Sequence, residues 1–389
     1  MWPAFLTALA VLALATWIYL LLARGGFWRC IQRDSRDAPE ADPSRWPGVV
    51  AVVPARNEAD MIPHSLASLL RQNYPGSFSV ILVDDNSDDG TLAAAREAAA
   101  SATTPLTIVR GAPLPAGWTG KLWAVRQGIE RADAFSVPPD YLLLTDADIG
   151  FEADALRSLV RRAEAGGLAM VSLMAKLRCR SLAERALIPA FIFFFQMLYP
   201  FAWVNRREAR TAAAAGGCVL VNRTALTQSG GIESIRGALI DDCALAARLK
   251  RQGPLWLGLT EQVRSLRPYP YFSDVRRMVA RSAYAQLRFS PWLLAATVAG
   301  LALAYLSAPL ITVFGPATAR WVAAAAWMLM AMAFWPTLRF YRLPAYWALM
   351  LPAIAAIYLG FTLDSALQYR QGRGGLWKGR AQAQSRDAA

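Results

Sequence analysis

The chain has 389 residues, is 55% hydrophobic and has a mean hydropathy of +0.27, too apolar for an ordinary soluble enzyme of this size. A net charge of +13 invites a nucleic-acid reading, but much of the positive charge flanks apolar segments, where anionic lipid head groups account for it more simply. Four scattered cysteines and a single histidine, His64, leave no zinc-ligand spacing and nearly exclude a histidine-based triad or metal site.

Residues 3–23 carry no charge and are long enough to span a bilayer. No Lys or Arg precedes them, whereas Arg24, Arg29, Arg33 and Arg36 come directly after. Residues 1–24 therefore read as a retained anchor, with the N-terminus outside and the globular domain in the cytoplasm. Residues 25–47 read as a linker, polar and Pro-rich from 37 onward.

Strands then alternate with helices: strand 48–53, helix 59–73, strand 78–83, helix 89–101, strand 106–109, helix 121–131, strand 141–144, helix 152–165. This alternation predicts an α/β fold with a mostly parallel sheet and helices on both faces, within a globular domain at 48–272. Ligands bind such sheets at the carboxyl ends of the strands. Three polar clusters fall there: Pro54-Ala-Arg-Asn-Glu58, Asp84-Asp85, and Asp146 with Asp148.

In Tyr141-Leu-Leu-Leu-Thr-Asp-Ala-Asp148 an apolar strand runs into Asp-x-Asp. Side chains two apart on a strand point the same way, so both carboxylates are expected to face one point. Oxygen donors suit Mg²⁺ or Mn²⁺, cations often shared with phosphates. Asp84-Asp-Asn-Ser-Asp-Asp-Gly-Thr91 half matches a calcium loop from Asp85, but the twelfth position, which needs Glu, is Arg96. A carboxylate there can instead accept from a base N–H. In Gly117-Trp-Thr-Gly-Lys121 a lysine opens a helix, a place suited to phosphate. Asp241-Asp242 opens another helix, where acidic residues serve equally as caps. Transfer to a hydroxyl needs a base, and with no histidine well placed a carboxylate must act.

From residue 168 the pattern changes. Residues 186–205 are uncharged and aromatic; a fifth span is the alternative, but it would put Asp242 across the membrane from Asp148 unless another crossing intervened, so an insert of the globular domain lying in the membrane interface is expected. Residues 273–290 predict a second interfacial helix, with Met278, Val279, Tyr284 and Leu287 open to lipid. Arg264, Arg267, Arg276, Arg277, Arg281 and Arg288 are expected at lipid head groups, and Arg277 or Arg281 could also close over a diphosphate. Residues 291–319, 321–338 and 343–363 are again uncharged, predicting a transmembrane region at 291–366 and a basic tail at 367–389. Three crossings would leave that basic tail outside, against the positive-inside rule, unless one apolar segment is re-entrant.

The ordered series Pro-Ala-Arg-Asn-Glu, Val-Asp-Asp-Asn-Ser-Asp-Asp-Gly-Thr, Gly-Trp-Thr-Gly-Lys, Thr-Asp-Ala-Asp, Gly-Gly-Cys-Val-Leu-Val-Asn-Arg and Asp-Asp-Cys resembles the family 2 glycosyltransferases of the GT-A nucleotide-diphospho-sugar transferase fold. Membrane-anchored members similar to ceramide glucosyltransferase fit best, and residues 276–291 look like hopanoid-biosynthesis-associated glycosyltransferases. The resemblance implies a nucleotide diphosphate sugar donor, a divalent Mg or Mn cofactor and a membrane lipid acceptor. It implies that Asp85 contacts the base with Pro54, Ala55, Arg56 and Glu58 beside it. Asp148 would bind the metal with Asp146 close to ribose or metal, Lys121 would assist the phosphates, and Asp242 would be the acceptor base. Arg281 matches the arginine of the family's Gln-x-x-Arg-Trp motif, but Met278 replaces its Gln and Ser282 its Trp. That departure and the few spans favour a single transfer over polymerisation, and one in-line displacement would invert the configuration. A polyprenyl phosphate or glycerolipid acceptor, and a non-catalytic nucleotide-binding assembly protein, are the competing readings.

Overall fold

A computed structural model of the chain describes residues 2–36, 38–39, 41–372, 376–377 and 380–381. The chain divides into two compact units, one of residues 32–178, 203–268 and 376–389, the other of residues 1–31, 179–202 and 269–375.

The first unit is built on an eight-stranded sheet. Its strands are β1 (Val49–Ala55), β2 (Phe78–Asp84), β3 (Leu106–Arg110), β4 (Tyr141–Leu144), β5 (Ile149–Phe151), β6 (Met170–Lys176), β7 (Val219–Asn222) and β8 (Leu255–Ser265). The order across the sheet is β3-β2-β1-β4-β7-β6-β8-β5. All seven residues of β1 are buried, as expected for a β-branched strand covered on both faces. β1 to β4 pair in parallel. β7 then runs antiparallel to both β4 and β6, and β5 antiparallel to β8. The sheet is thus mixed, and its reversal begins where the strand–helix alternation of the sequence stops.

On one face, Ile62, Leu66 and Leu69 of the Ile62–Leu70 helix and Leu156, Leu159 and Val160 of the Ala155–Gly166 helix pack on Leu82, Leu143, Val171 and Leu220. On the other lies the Gly120–Asp133 helix, where a Cβ at Gly128 would overlap Val52, so glycine allows the close approach. Part of the predicted linker is packed into the unit. Arg33 bridges to Leu259, with Asp34 N donating to Leu259 O at 3.0 Å and Leu259 N to Gln32 O at 2.8 Å. Asp34 is buried and accepts from the Thr260 hydroxyl.

Among the described residues, the second unit contains four helices long and apolar enough to cross a membrane: Trp2–Ala23, Pro291–Phe314, Ala317–Phe340 and Ala345–Arg370. The first packs on the third through small residues, Ala10 and Ala13 against Ala319, Ala323 and Ala326, which brings the backbones close. A π-turn at Ala302–Leu306 interrupts the second, and Trp17 Nε1 donates to Ala304 O at 2.6 Å there. The aromatic segment forms the helix Leu182–Leu198 and the short turn Phe201–Val204. The helix groups with the apolar helices and not with the sheet: Phe193 lies between Phe27 and Phe334, and Tyr358 OH donates to Leu187 O at 2.8 Å.

The segment predicted as one helix over 273–290 is two, Phe272–Ala280 and Ala283–Gln286, broken at Arg281–Ser282. Val279 and Tyr284 are buried and not open to lipid, because the Leu351–Arg370 helix packs on this segment. That helix has an unusual course. Trp327 Nε1, midway along Ala317–Phe340, donates to Leu349 O at 3.2 Å, so the turn Ala345–Met350 lies beside the middle of its neighbour. At its other end Arg276 pairs with Asp364 at 3.3 Å, Tyr284 N donates to Ser365 Oγ at 3.0 Å, and Tyr369 stacks on Phe289 at 4.4 Å, just before the helix that starts at Pro291. The basic tail beyond residue 372 lies outside the described residues, apart from an antiparallel pairing of Leu376–Trp377 with Arg380–Ala381.

Candidate active site

The carboxyl ends of β1 and β2 carry two loops that interlock. Each turns on an asparagine with positive φ, Asn57 at 51° and Asn86 at 55°, a conformation asparagine tolerates better than most residues. Asp89 accepts from Thr91 N and Ala59 N, each at 3.0 Å, and Thr91 Oγ1 in turn accepts from Glu58 N at 2.8 Å. Asn57 N donates to Ser87 Oγ at 3.0 Å, and Asp88 N to Asn57 Oδ1 at 3.1 Å. Much of the Asp-Asp-Asn-Ser-Asp-Asp-Gly-Thr motif therefore fastens the Pro54–Glu58 loop in place.

Asp85 directly follows β2, beside this fastening. It is 1% exposed, its N donates to Ala55 O at 2.8 Å, and Arg56 Nη1 lies 3.7 Å from its Oδ2 and donates to its carbonyl. Gly111 lies beside it, where a Cβ would stand 3.2 Å from Asp85 Cα.

β4 ends at Leu144, so Asp146 and Asp148 lie on the turn leading to β5, with Ile149 N donating to Asp146 O at 3.3 Å. The strand rule that would aim both carboxylates at one point does not apply. Each has its own cation: Lys121 Nζ is 2.9 Å from Asp146 Oδ1, and Arg267 Nε is 2.9 Å from Asp148 Oδ2. Arg267 Nη2 also reaches Glu58 Oε2, tying the ends of β1 and β4 together. Arg267 is thus no lipid contact. Burial opposes its charge, but Asp148 and Glu58 outweigh that and hold its pKa above the ordinary arginine value.

Lys121 is placed by the first turn of the Gly120–Asp133 helix, which Thr119 caps by accepting from Leu122 N at 3.3 Å. Its Nζ is also 3.0 Å from Asp241 Oδ2. Burial disfavours its charge, yet Asp146, Asp241 and Asp242 together raise its pKa above that of a free lysine. Asp241 and Asp242 open the Asp241–Leu249 helix. Asp242 is held at both oxygens, by Gly216 N at 2.8 Å and Cys243 N at 2.7 Å. A Cβ on Gly216 would stand 3.3 Å from Asp242 Oδ2 and 3.4 Å from Lys121 Nζ, so glycine keeps this backbone close to both. Burial, then the neighbouring Asp241, push Asp242 up to about 6, against the opposing pull of Lys121 and the two N–H donors. Asp146 is also raised, by burial first and by Asp148, with Lys121 opposing. A cavity of about 30 Å³ adjoins these groups, with Leu122, Val125, Ile232, Ile235 and Leu245 as its apolar floor.

The sheet unit thus contains Pro54, Ala55, Arg56, Glu58, Asp85, Lys121, Asp146, Asp148 and Asp242. Arg281 belongs to the other unit, exposed at the end of the Phe272–Ala280 helix, and Arg277 there pairs with Asp274 at 2.6 Å. Asp241, Gly216 and Arg267 join the site beyond the predicted residues. The first two sit inside the motifs Asp-Asp-Cys and Gly-Gly-Cys, whereas nothing local distinguishes Arg267 from its basic neighbours. Among the described residues, no three His, Cys, Asp or Glu side chains cluster as a metal cage. Asp146 and Asp148 fit a narrower role. Each pairs through one carboxylate oxygen, leaving the other as a hard donor for a cation completed by phosphate and water.

The family model described as glycosyl transferase family 2 matches residues 50–230. A 4,4'-diaponeurosporenoate glycosyltransferase of Staphylococcus aureus (strain MRSA252) is 31% identical over 117 residues, 30% of this chain and 28% of that protein, so the match spans under a third of the relative's length. A mannosyltransferase from Pyrobaculum calidifontis, solved in complex with GDP-Man and Mn²⁺, is similar in fold with a TM-score of 0.57 at 20% identity, over 94% of this chain and 99% of that one. The segment 50–230 thus matches glycosyl transferase family 2, and the fold is the GT-A fold.

Proposed function

We propose that the protein is an inverting glycosyltransferase that moves one sugar from a nucleotide diphosphate sugar to a hydroxyl of a membrane lipid, a hopanoid or related molecule. The observation that carries this reading is Asp242. A carboxylate fixed at both oxygens by backbone N–H groups, with a pKa raised to about 6, suits a general base at neutral pH. Asp242 takes the acceptor O–H proton, and the acceptor oxygen attacks the anomeric carbon from the face opposite the leaving group. The bond from that carbon to the diphosphate breaks, its electron pair leaving with the nucleoside diphosphate, and the configuration inverts. Asp85, with Arg56 beside it, holds the base. Asp146 and Asp148 would hold a divalent cation, which when bound neutralises charge on the diphosphate. The fold neighbour solved with GDP-Man and Mn²⁺ and the lipid-type relative support this assignment by analogy.

The helix contacts support one membrane arrangement. Trp2–Ala23, Pro291–Phe314 and Ala317–Phe340 cross, whereas residues 343–370 enter to mid-depth and return to the side they left. Arg24, Arg29, Arg288, Arg339, Arg342 and Arg370 then flank one side and Arg320 the other, the distribution expected of a cytoplasmic and an external face. The re-entrant segment brings Arg370 to the cytoplasmic side and removes the conflict that three C-terminal crossings create.

The deciding assay uses purified protein in detergent with Mn²⁺, nucleotide sugars one at a time, and a total lipid extract from a hopanoid-producing bacterium. Lipid-dependent release of nucleoside diphosphate from one donor, lost in Asp242→Asn, supports the reading. Full turnover in Asp242→Asn with both substrates saturating refutes the base assignment and favours an acceptor that is already an anion, such as a polyprenyl phosphate. Nucleotide binding without release from any donor favours a non-catalytic assembly role.

A further inference from the structure

We infer that Arg267 is the resident counter-ion of Asp148, and that a divalent cation binding at the carboxylate's other oxygen must loosen that guanidinium contact in order to bind. The inference rests on the reading of Asp148 as a metal ligand. Arg267 sits at the end of β8, held by Leu266 N donating to Asp148 O at 2.8 Å, so its backbone is fixed beside the carboxylate it contacts. Its fork then bridges two carboxylates from separate loops, Nε to Asp148 Oδ2 at 2.9 Å and Nη2 to Glu58. Both acids are well shielded, with side-chain exposures of 16% for Asp148 and 10% for Glu58. Two carboxylates this close to one another and this far from water need a positive charge between them.

A guanidinium and a metal ion cannot both hold that place at full strength. They repel each other, and an oxygen donating its lone pairs to a cation is a poorer acceptor for Nε–H. Arrival of the cation therefore loosens the Arg267–Asp148 contact while Glu58 keeps the arginine tethered. The loosened guanidinium would then take the negative charge of the diphosphate in place of that of Asp148. A site built this way binds a metal ion weakly by itself and well only with the nucleotide, since the diphosphate is what compensates the loosened arginine.

The test measures Mn²⁺ alone, by the loss of the free-ion electron paramagnetic resonance signal on titration into the detergent-solubilised full chain without nucleotide. Arg267→Gln is expected to bind Mn²⁺ about tenfold more tightly than wild type, the low end of the effect a neighbouring opposite charge has on a carboxylate. Arg267→Lys covers the case in which the glutamine variant does not fold. It keeps a charge but cannot bridge both acids, so a smaller gain is expected. An affinity no higher than wild type in every variant that folds overturns the inference and makes Arg267 a group that only orients Asp148. Asp148→Asn separates this from failure of the metal reading. If it abolishes Mn²⁺ binding, the ligand assignment stands whatever Arg267 does. If it leaves Mn²⁺ binding intact, the ligand assignment falls and the inference with it.

Discussion

Lys121→Met tests the electrostatic design of the site directly. Lys121 Nζ lies 2.9 Å from Asp146 and 3.0 Å from Asp241, and its charge also lowers the pKa of Asp242. Methionine keeps the bulk of the side chain and removes the charge. Two separable effects result. The stability cost of breaking a fully buried pair is about 3–5 kcal/mol, but Asp146 is 37% exposed and Asp241 24%, so solvent screening reduces it to about 1–3 kcal/mol. The effect on the base is larger in consequence. Asp242 is already at about 6, and losing an opposite charge at close range raises a carboxylate by about 1–3 units. The ionised form is the working base, so activity is present above the pKa and lost below it. In the wild type kcat/KM should fall about tenfold per pH unit below pH 6. In Lys121→Met the same limb should move alkaline to about 7–9, leaving at least half of the protein inactive at pH 7 and activity recovering as the pH is raised further. The assay is nucleoside diphosphate release against pH at low donor concentration, with a thermal melt to confirm folding. An unmoved acid limb with reduced activity at every pH would refute this reasoning and return Lys121 to a phosphate-binding role.

Other outcomes test other parts of the reading. Asp242→Asn keeps an oxygen for Gly216 N and should lower turnover by about 10²–10⁴-fold while nucleotide affinity stays at the wild-type value. Asp85→Asn should weaken nucleoside diphosphate binding by about 10–100-fold in calorimetry, the loss expected of one hydrogen bond to a charged group, and unchanged binding would remove Asp85 from the base site. Gly216→Ala puts a methyl 3.3 Å from Asp242 and 3.4 Å from Lys121, so turnover should fall with little change in donor affinity, and an unaffected rate would show that the loop yields freely. A reporter fused after Arg370 should report the cytoplasmic side and one placed after Gly315 the opposite side. The same side for both would refute the re-entrant course.

How far the sequence discloses this molecule depends on how local the cause of each feature is. β1, β2 and β4 are legible because burial on both faces demands unbroken apolar runs, and helices separate them at regular intervals. β5 and β7 span three and four residues, and β6 and β7 are separated by the aromatic segment, so no periodicity accumulates and their antiparallel pairing depends on partners far along the chain. The start of the first sheet-covering helix shows the same contrast. The apolar pattern suggests residue 59, but Met61 N and Ile62 N both turn back to Glu58 O, and the loop held by Asp89 and Thr91 consumes the first turn.

The site divides along the same line. Asp85, Asp146, Asp148 and Asp242 stand at element ends, where the sequence itself announces a change of structure. Their partners do not. Lys121 is legible as a cation at a helix start, but whether it meets phosphate or carboxylate depends on Asp146 and Asp241, brought from 25 and 120 residues away. Arg267 is one arginine among several in a basic stretch, and its two carboxylates lie 209 and 119 residues earlier. A cation drawn to acids this distant cannot be told from one drawn to lipid by its neighbours in sequence. Only the fold selects which of the basic residues enters the site, and the one it selects is the one whose backbone β8 already pins against Asp148.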